Sequence, residues 1–188
     1  MKKSLGPQTI IHPCPVLIVG TYSEKGIPNM MNAAWGGICC SNPPCVAVSI
    51  RRERQTYENI MKNKSFTVNI PSIYYVKEAD YVGIYSGKKK DKFAETKLTP
   101  IKSDLVNAPY VKEFPYSLEC KLIKTVKLGS HTSFIGEILD IKADENVIGE
   151  NGLPDIERVK PILYATANQG YYEIGQLLGN AFAVGKSK

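Results

Sequence analysis

The sequence predicts a mainly β protein, an antiparallel barrel with a few short surface helices. Short β-rich runs recur along the chain, and most are bounded by Gly, Pro or Asn. The two longest runs, 116–126 and 132–141, alternate in polarity, and Leu118, Cys120 and Leu122 share one face in the first. Strands this short and numerous favour a closed or partly closed barrel, which removes the exposed edges of a flat sheet.

Each element follows from local pattern. Seven strands are predicted, at 16–21, 30–35, 45–50, 66–70, 116–126, 132–141 and 162–165. Three short helices are predicted at 56–62, 73–82 and 91–96, with Thr56 as the N-cap of the first. Segment 98–114 carries prolines and mixed charges and predicts an excursion that covers a site or an interface. Segment 143–160 is polar with Gly and Pro, which predicts a solvated loop.

Length and composition are those of one globular domain spanning residues 1–188. The chain has 43% hydrophobic residues, and no apolar run reaches the roughly 18 to 20 residues of a membrane span. Prolines and glycines interrupt the N-terminal apolar stretch, which argues against a signal peptide. We therefore expect a soluble cytoplasmic protein.

The positive charge raises the question of nucleic acid. The formal net charge is +6, and basic residues cluster at 51–54 and 88–92. Aromatic residues that could stack on bases are scarce there, since only Tyr85 and Phe93 flank the second cluster. A non-catalytic basic barrel that binds single-stranded nucleic acid is therefore an alternative, not the leading hypothesis.

The five cysteines match neither a secreted disulfide framework nor a CxxC pair. Cys39, Cys40 and Cys45 are the closest group. Adjacent residues of a strand point to opposite faces, so Cys39 and Cys40 are expected to diverge, which argues against a metal site. Free thiols and no metal are the prediction.

The corner after strand 45–50 suits a phosphorylated ligand. The strand ends at three arginines, Arg51, Arg52 and Arg54, and Thr56 follows at the expected helix start. A helix N-terminus offers unpaired N–H groups, and guanidinium groups add charge-assisted hydrogen bonds. The alternative is that Thr56 only caps the helix and Arg51 is only a surface charge.

Several short segments resemble the flavin reductase-like family, including the flavoredoxins. They are 29–35 (NMMNAAW), Pro43-Pro44, 51–56, 66–71 (FTVNIP), Ser86-Gly87 with Asp91-Lys92-Phe93, 129–137 (GSHTSFIGE) and 161–175 (PILYATANQGYYEIG). The matches follow the family's order and cover nearly the whole chain. The resemblance implies a Greek-key, antiparallel, FMN-binding split β-barrel that forms homodimers with FMN near the interface.

The resemblance also implies a set of FMN contacts. They are Asn29, Met31, Ala33, Ala34, Trp35, Ser49, Ile50, Arg51, Arg52, Thr56, Lys92, His131 and Tyr164. Arg51, Arg52, Thr56 and Lys92 are expected near the phosphate, and the backbone of 29–35 is expected at the polar edge of the ring. No catalytic residue is assigned.

Several of these residues have ordinary structural explanations as well. Trp35 either walls the ring slot or fills the barrel core. His131 either contacts the phosphate or the ring, where a protonated imidazole would stabilise reduced flavin, or is a solvated turn residue. Tyr164 either packs near the ring or is a strand tyrosine whose hydroxyl is satisfied. Small residues such as Gly36 and Gly37 would let the backbone approach a planar ligand.

The motifs that are absent narrow the function. No GxGxxG follows a predicted strand, so any NAD(P)H would stack directly on the flavin. No nucleophile elbow or HExxH is present, which argues against hydrolysis. The leading hypothesis is an FMN-dependent redox protein of the flavoredoxin type, carrying electrons between a donor and a partner protein or small acceptor. The alternative within the family is an NAD(P)H-dependent flavin reductase that releases reduced flavin.

Overall fold

A computed structural model describes residues 1–186 of the chain. The strands are β1 Cys14–Pro15, β2 Leu17–Tyr22, β3 Pro28–Ala33, β4 Gly36–Ser41, β5 Pro44–Arg51, β6 Ser65–Ile70, β7 Pro100–Lys102, β8 Pro109–Val111, β9 Tyr116–Leu128, β10 His131–Ala143, β11 Leu163–Ala165 and β12 Gly170–Tyr172. The α-helices are α1 Gln55–Asn63, α2 Val76–Ile84, α3 Lys92–Thr96 and α4 Ile156–Val159. Short 3₁₀ turns lie at Ile73–Tyr75, Glu145–Val147 and Val184–Lys186. Within residues 1–186, no helix combines the length and apolarity needed to cross a bilayer.

One seven-stranded antiparallel sheet forms the body of the protein. Its strand order is β3-β2-β6-β9-β10-β5-β4, so β3 and β4 lie at opposite ends although they are consecutive in the chain. Residues 34 and 35 connect them, and the carbonyl oxygen of Trp35 accepts a hydrogen bond of 2.7 Å from the N–H of Ser49 in β5. This seam brings the two ends of the sheet together, and the mainly β, antiparallel prediction is confirmed.

The barrel interior holds the main hydrophobic core. Its largest fully buried side chains include Phe66 from β6 and Phe134 from β10, and Ile60 reaches it from α1. Tyr57 of α1 meets the Phe134 ring edge-on at 5.3 Å between centroids. Burial of these apolar side chains fixes α1 across the barrel.

A second core lies on the outer face of β2 and β3. Ile18 and Met30 pack there against α2, α3 and the excursion that contains β7 and β8, with Val82, Phe93 and Phe114 among the contacts. β2 is therefore buried on both faces, which explains its unbroken apolar run LIVGTY. This outer layer also positions the loop that leads into α3.

Three parts of the structure differ from the elements predicted from sequence. β4 was not predicted, because its sequence GGICCS lacks the branched and aromatic residues that mark strands. Segment 98–114, predicted as an irregular excursion, contains the β7–β8 hairpin. Segment 143–160 is not a plain solvated loop, since it forms α4 and buries Val147 and Val159 in the main core.

The cysteine geometry also differs from the prediction. Ile38 pairs with Val46 and Cys40 with Cys45, so Cys39 is an extra residue in a β-bulge. The bulge breaks the alternation on which the expected divergence of Cys39 and Cys40 was based. All five cysteines are free thiols, as predicted. Among residues 1–186, no cluster of three or more His, Cys, Asp or Glu side chains has a geometry suited to a metal ion.

Candidate functional site

Two adjoining cavities join the start of α1 to the barrel seam. The α1 pocket is lined by Asn29, Met31, Arg54, Gln55, Thr56, Tyr85, Ser86, Gly87 and Lys92. The seam cleft, of about 180 Å³, is lined by Met31, Asn32, Ala33, Ala34, Trp35, Ser49, Ile50, Arg51, Arg54, His131 and Tyr164. Met31 and Arg54 line both cavities, so the two adjoin, and together they are called the groove below.

The groove collects most of the residues named from sequence. Nine line the seam cleft, namely Met31, Ala33, Ala34, Trp35, Ser49, Ile50, Arg51, His131 and Tyr164. Asn29, Thr56 and Lys92 line the α1 pocket. Arg52 is exposed in the turn after β5 and lines neither cavity. Arg54 was named from sequence among the arginines of the phosphate corner but not among the FMN contacts, and it lines both cavities.

No side chain in the described part of the chain caps the first turn of α1. Arg54, not Thr56, is the N-cap residue, with an extended backbone and no side-chain cap hydrogen bond, so that prediction for Thr56 is wrong. Thr56 instead lies within the first turn and is 1% exposed. Because no side chain caps it, the positive end of α1 opens into the α1 pocket.

A buried polar contact ties this turn to β3. The Asn29 Nδ2 donates a 2.9 Å hydrogen bond to the Thr56 Oγ1. The Asn29 Oδ1 is buried and has no hydrogen-bond donor among residues 1–186. Gly87 lies directly against that oxygen, and a Cβ at Gly87 would overlap it. Asn29 therefore places an unpaired acceptor in the wall of the α1 pocket.

Lys92 is a buried cation at the floor of the α1 pocket. It is 3% exposed, and its Nζ donates to the carbonyl oxygens of Met30 at 2.9 Å and Val82 at 2.7 Å. An ammonium has three donors, so one remains for a ligand. Burial, and then the positive charge of Arg54, lower the pKa of Lys92 to about 8.

The α1 pocket is short of negative charge. Within the described residues, neither Lys92 nor Arg54 forms a salt bridge with a carboxylate. Two neighbouring cations and an open helix N-terminus would each be stabilised by an anion. The charges at the α1 pocket therefore suit a phosphate group.

The seam cleft is more open, and its cationic side chain Arg51 is exposed, whereas Lys92 in the α1 pocket is buried. Trp35, His131 and Tyr164 are each half-buried at its wall. His131 begins β10 opposite Arg51, and its Nδ1 lies 2.8 Å from the Ser130 Oγ. Arg51 is largely exposed, with its guanidinium 3.9 Å from Glu53. These side chains leave room for a flat ligand against the backbone of 31–35.

The two glycines beside Trp35 differ in their surroundings. A Cβ at Gly36 would lie 2.6 Å from the Ala47 carbonyl oxygen and 2.8 Å from the Leu17 Cδ1. A Cβ at Gly37 would meet nothing within 4 Å. Gly36 is thus needed for the packing of β4 on the barrel, and Gly37 is not constrained by contact.

A third cavity of about 320 Å³ adjoins the seam cleft through Asn32, Ala34 and Tyr164. Its polar groups include Asp80 and Tyr171, whose hydroxyl donates a 2.9 Å hydrogen bond to the Asp80 Oδ1. Burial, and then this hydrogen bond, raise the pKa of Tyr171. Tyr171 therefore stays protonated, and this cavity offers space for a second molecule beside the cleft.

Known proteins share this architecture over the whole chain. Flavoredoxin of Desulfovibrio vulgaris (Miyazaki F) is 50% identical, with a TM-score of 0.95 over 99% of this chain and 100% of that one. Flavoredoxin from Methanosarcina acetivorans is 32% identical, with a TM-score of 0.93 over 99% and 98%. A protein from Shewanella frigidimarina NCIMB 400 with a split barrel domain is 26% identical, with a TM-score of 0.83 over 92% and 87%. The split-barrel prediction is confirmed.

The family assignment follows from the extent of the match. Residues 11–175 match the family described as flavin reductase like domain, and the two flavoredoxins align over nearly their full lengths. The match takes in both cavities of the groove, from Asn29 to Tyr164. This chain belongs to the flavin reductase-like domain family.

Proposed function

We propose that this protein is an FMN-binding redox protein of the flavoredoxin type, which carries electrons between a donor and a partner protein or small acceptor. Bound flavin supplies hydride and single-electron chemistry, and the protein supplies binding and orientation. The observation that carries the proposal is the α1 pocket, where Lys92 and Arg54 lie at an uncapped helix start without a carboxylate partner among residues 1–186. Similarity to two flavoredoxins supports it.

In this proposal the α1 pocket holds the phosphate of FMN. The first N–H groups of α1 donate hydrogen bonds to the phosphate. The ammonium of Lys92 donates its remaining N–H, and Arg54 adds a charge-assisted hydrogen bond. The unpaired Asn29 Oδ1 accepts from a hydroxyl of the ribityl chain. Thr56 holds Asn29 in place through its hydrogen bond.

The seam cleft holds the isoalloxazine ring. Trp35 and Tyr164 stand at its wall and exclude water from part of the ring, and the small side chains of Ala33 and Ala34 leave backbone groups accessible. His131 lies where a protonated imidazole would stabilise negative charge. The residues present therefore fit both ends of the cofactor.

The visible absorption spectrum of the purified protein tests this function. Oxidised flavin absorbs at ~375 and ~450 nm, and the protein should keep both bands after gel filtration if the flavin is a bound cofactor. We expect NADH to leave these bands unchanged under anaerobic conditions, because electrons arrive from a partner protein. A colourless protein that also ignores added FMN would contradict the proposal and return the basic nucleic-acid barrel to consideration.

An NAD(P)H-dependent flavin reductase is the second candidate. The cavity around Asp80 and Tyr171 favours it, since this cavity meets the seam cleft and has room for a second molecule. A reductase would lose flavin on gel filtration, and NADH would bleach added FMN in the presence of the protein. Retention and NADH bleaching together therefore separate the two functions.

We further propose a cytoplasmic homodimer. Large apolar side chains near both termini are exposed, namely Ile10, Ile11, Leu177, Leu178 and Phe182. Exposed apolar groups of this kind fit an interface. The five free thiols fit a reducing compartment. Light scattering coupled to gel filtration should give the mass of two chains, and the mass of one would contradict the dimer.

A further inference from the structure

Three thiols gather at the tip of the β4–β5 hairpin, outside the flavin site. Cys40 and Cys45 are directly opposed residues of the antiparallel pair, and Ser41-Asn42-Pro43-Pro44 forms the turn between them. Cys39 is the bulged residue, and its thiol donates to the Cys45 carbonyl oxygen at 3.6 Å. The proposed function gives these thiols no role.

Cys40 and Cys45 pair across the two strands in a geometry that suits a disulfide bond. Directly opposed residues of antiparallel strands have Cα atoms about 4.5 to 5.5 Å apart, which lies within the range of about 4.4 to 6.8 Å that disulfides span. The Cys45 thiol donates a hydrogen bond to the Pro43 carbonyl oxygen at 3.4 Å, which it must leave to meet the Cys40 sulfur. The Cα separation that is typical of this pairing therefore permits a disulfide.

Accessibility sets the order in which the two thiols would react. Cys40 is exposed, whereas Cys45 is 2% exposed. Burial, and then the neighbouring Cys40 and Cys39 thiols, raise the pKa of Cys45. An outside reagent therefore meets Cys40 first, and Cys45 is placed to resolve the product.

We propose that Cys40 and Cys45 form a reversible disulfide by exchange with a low-molecular-weight disulfide. The Cys40 thiolate, having lost its proton to water, attacks one sulfur of the small disulfide, whose S–S bond breaks and releases one small thiolate. The Cys45 thiol then loses its proton and attacks the Cys40 sulfur, and the second small thiolate leaves. Each leaving thiolate takes up a proton, so the protein loses two electrons and two protons, which the small disulfide gains.

Cys39 provides a matched control for this pair. It is exposed like Cys40 and adjacent to it, but its thiol is directed to the backbone carbonyl of Cys45. Cys14 and Cys120 are buried, and burial raises the pKa of both thiols. Oxidation should therefore select one pair from five cysteines.

Oxidised glutathione is the probe. The reduced full-length protein is incubated with it, quenched by alkylation and digested with trypsin, which leaves all three hairpin cysteines in one peptide, since Lys25 and Arg51 are its nearest flanking cleavage sites. We expect this peptide to carry one alkyl group, at Cys39, and to have two hydrogen atoms fewer than the reduced peptide with the same single alkylation. Dithiothreitol should restore three alkylated cysteines.

Two serine variants complete the test. Cys39→Ser should form the disulfide to the same extent as the wild type. Cys40→Ser, which changes an exposed residue and should leave the fold intact, should lose it completely. Three alkylated cysteines after oxidation, a stable glutathione adduct in the wild type, or a bond that joins Cys39 to either neighbour would each overturn the proposal. None of these outcomes depends on whether FMN is bound.

Discussion

The α1 pocket and the seam cleft are halves of one groove, but they are built differently. Thr56, Asn29 and Lys92 in the α1 pocket are 1%, 6% and 3% exposed. Trp35 and Tyr164 in the seam cleft are half-exposed. The first region is fixed by buried hydrogen bonds and contains a buried cation, Lys92, whereas the second offers shape, backbone groups and the exposed cation Arg51.

Because of this difference, we expect the α1 pocket to determine FMN affinity and the seam cleft to determine flavin reactivity. Buried charged groups without a counter-ion contribute most when an anion arrives, because they already carry the cost of desolvation. Half-exposed side chains in an open cleft contribute less to affinity but lie beside the ring, where the redox step occurs. We therefore expect substitutions in the α1 pocket to weaken FMN binding and substitutions in the seam cleft to alter flavin chemistry.

Lys92→Met should have the largest effect. It removes the buried ammonium, and a hydrogen bond to a charged group contributes about 1.5 to 3 kcal/mol, which corresponds to a loss of about 10- to 150-fold in FMN affinity. Fluorescence titration of the flavin-free protein measures this. Lys90→Met is the matched control, since Lys90 is exposed and paired with Glu95 at 3.1 Å. If Lys92→Met and Lys90→Met lost FMN affinity equally, the prediction that the buried lysine binds the phosphate would be contradicted.

FMN affinity should fall as the pH rises above about 8. Lys92 has a pKa lowered to about 8 in the free protein, and a bound phosphate would raise it. Above that pH, binding must take up a proton, so the affinity should fall by up to about tenfold per pH unit. Below it Lys92 is already charged and contributes no pH dependence. Titrations between pH 7 and 10 measure this, and the Lys92→Met variant should show no such fall.

Arg54→Gln should weaken FMN binding by about fivefold, the equivalent of about 1 kcal/mol for a half-exposed charge-assisted contact. Arg52→Gln should change it by less than about twofold, because Arg52 lines neither cavity and an exposed charge contributes little. The two variants distinguish the structure from the sequence prediction, which assigned Arg52 to the phosphate. A larger loss in Arg52→Gln would favour the sequence prediction.

His131→Asn should have the smallest effect on affinity, below about threefold, because the seam cleft is open. Loss of a group that can carry positive charge should make the two-electron potential of the bound flavin more negative by about 30 mV, the equivalent of about 1.4 kcal/mol. Spectroelectrochemistry measures the shift. An unchanged potential together with a strong loss of affinity would place His131 at the phosphate instead.

Much of the fold was readable from the sequence, because its strands carry periodic apolar residues. The long pair β9 and β10 was found to within a few residues. β4 was not, since its place in the sheet depends on pairing with β5 and not on its own composition. The bulge at Cys39 likewise depends on the register of that pair.

The candidate site could be predicted from the sequence only in part. Thr56 matches a capping residue in local sequence, and its actual partner, Asn29, lies 27 residues away. Which arginine of 51–54 faces the pocket depends on the turn geometry after β5, which sequence spacing does not determine. Lys92 was found through the family resemblance alone, since no local pattern predicts that its ammonium binds two backbone carbonyls.

The most direct test of the account compares FMN with riboflavin, which lacks the phosphate, in the wild type and in Lys92→Met. If the α1 pocket anchors the phosphate, the wild type should prefer FMN by at least about 100-fold, the equivalent of about 2.7 kcal/mol. The variant should lose most of that preference because FMN weakens while riboflavin does not. Equal weakening of both flavins, or a wild type that binds them equally, would contradict the assignment of the α1 pocket to the phosphate.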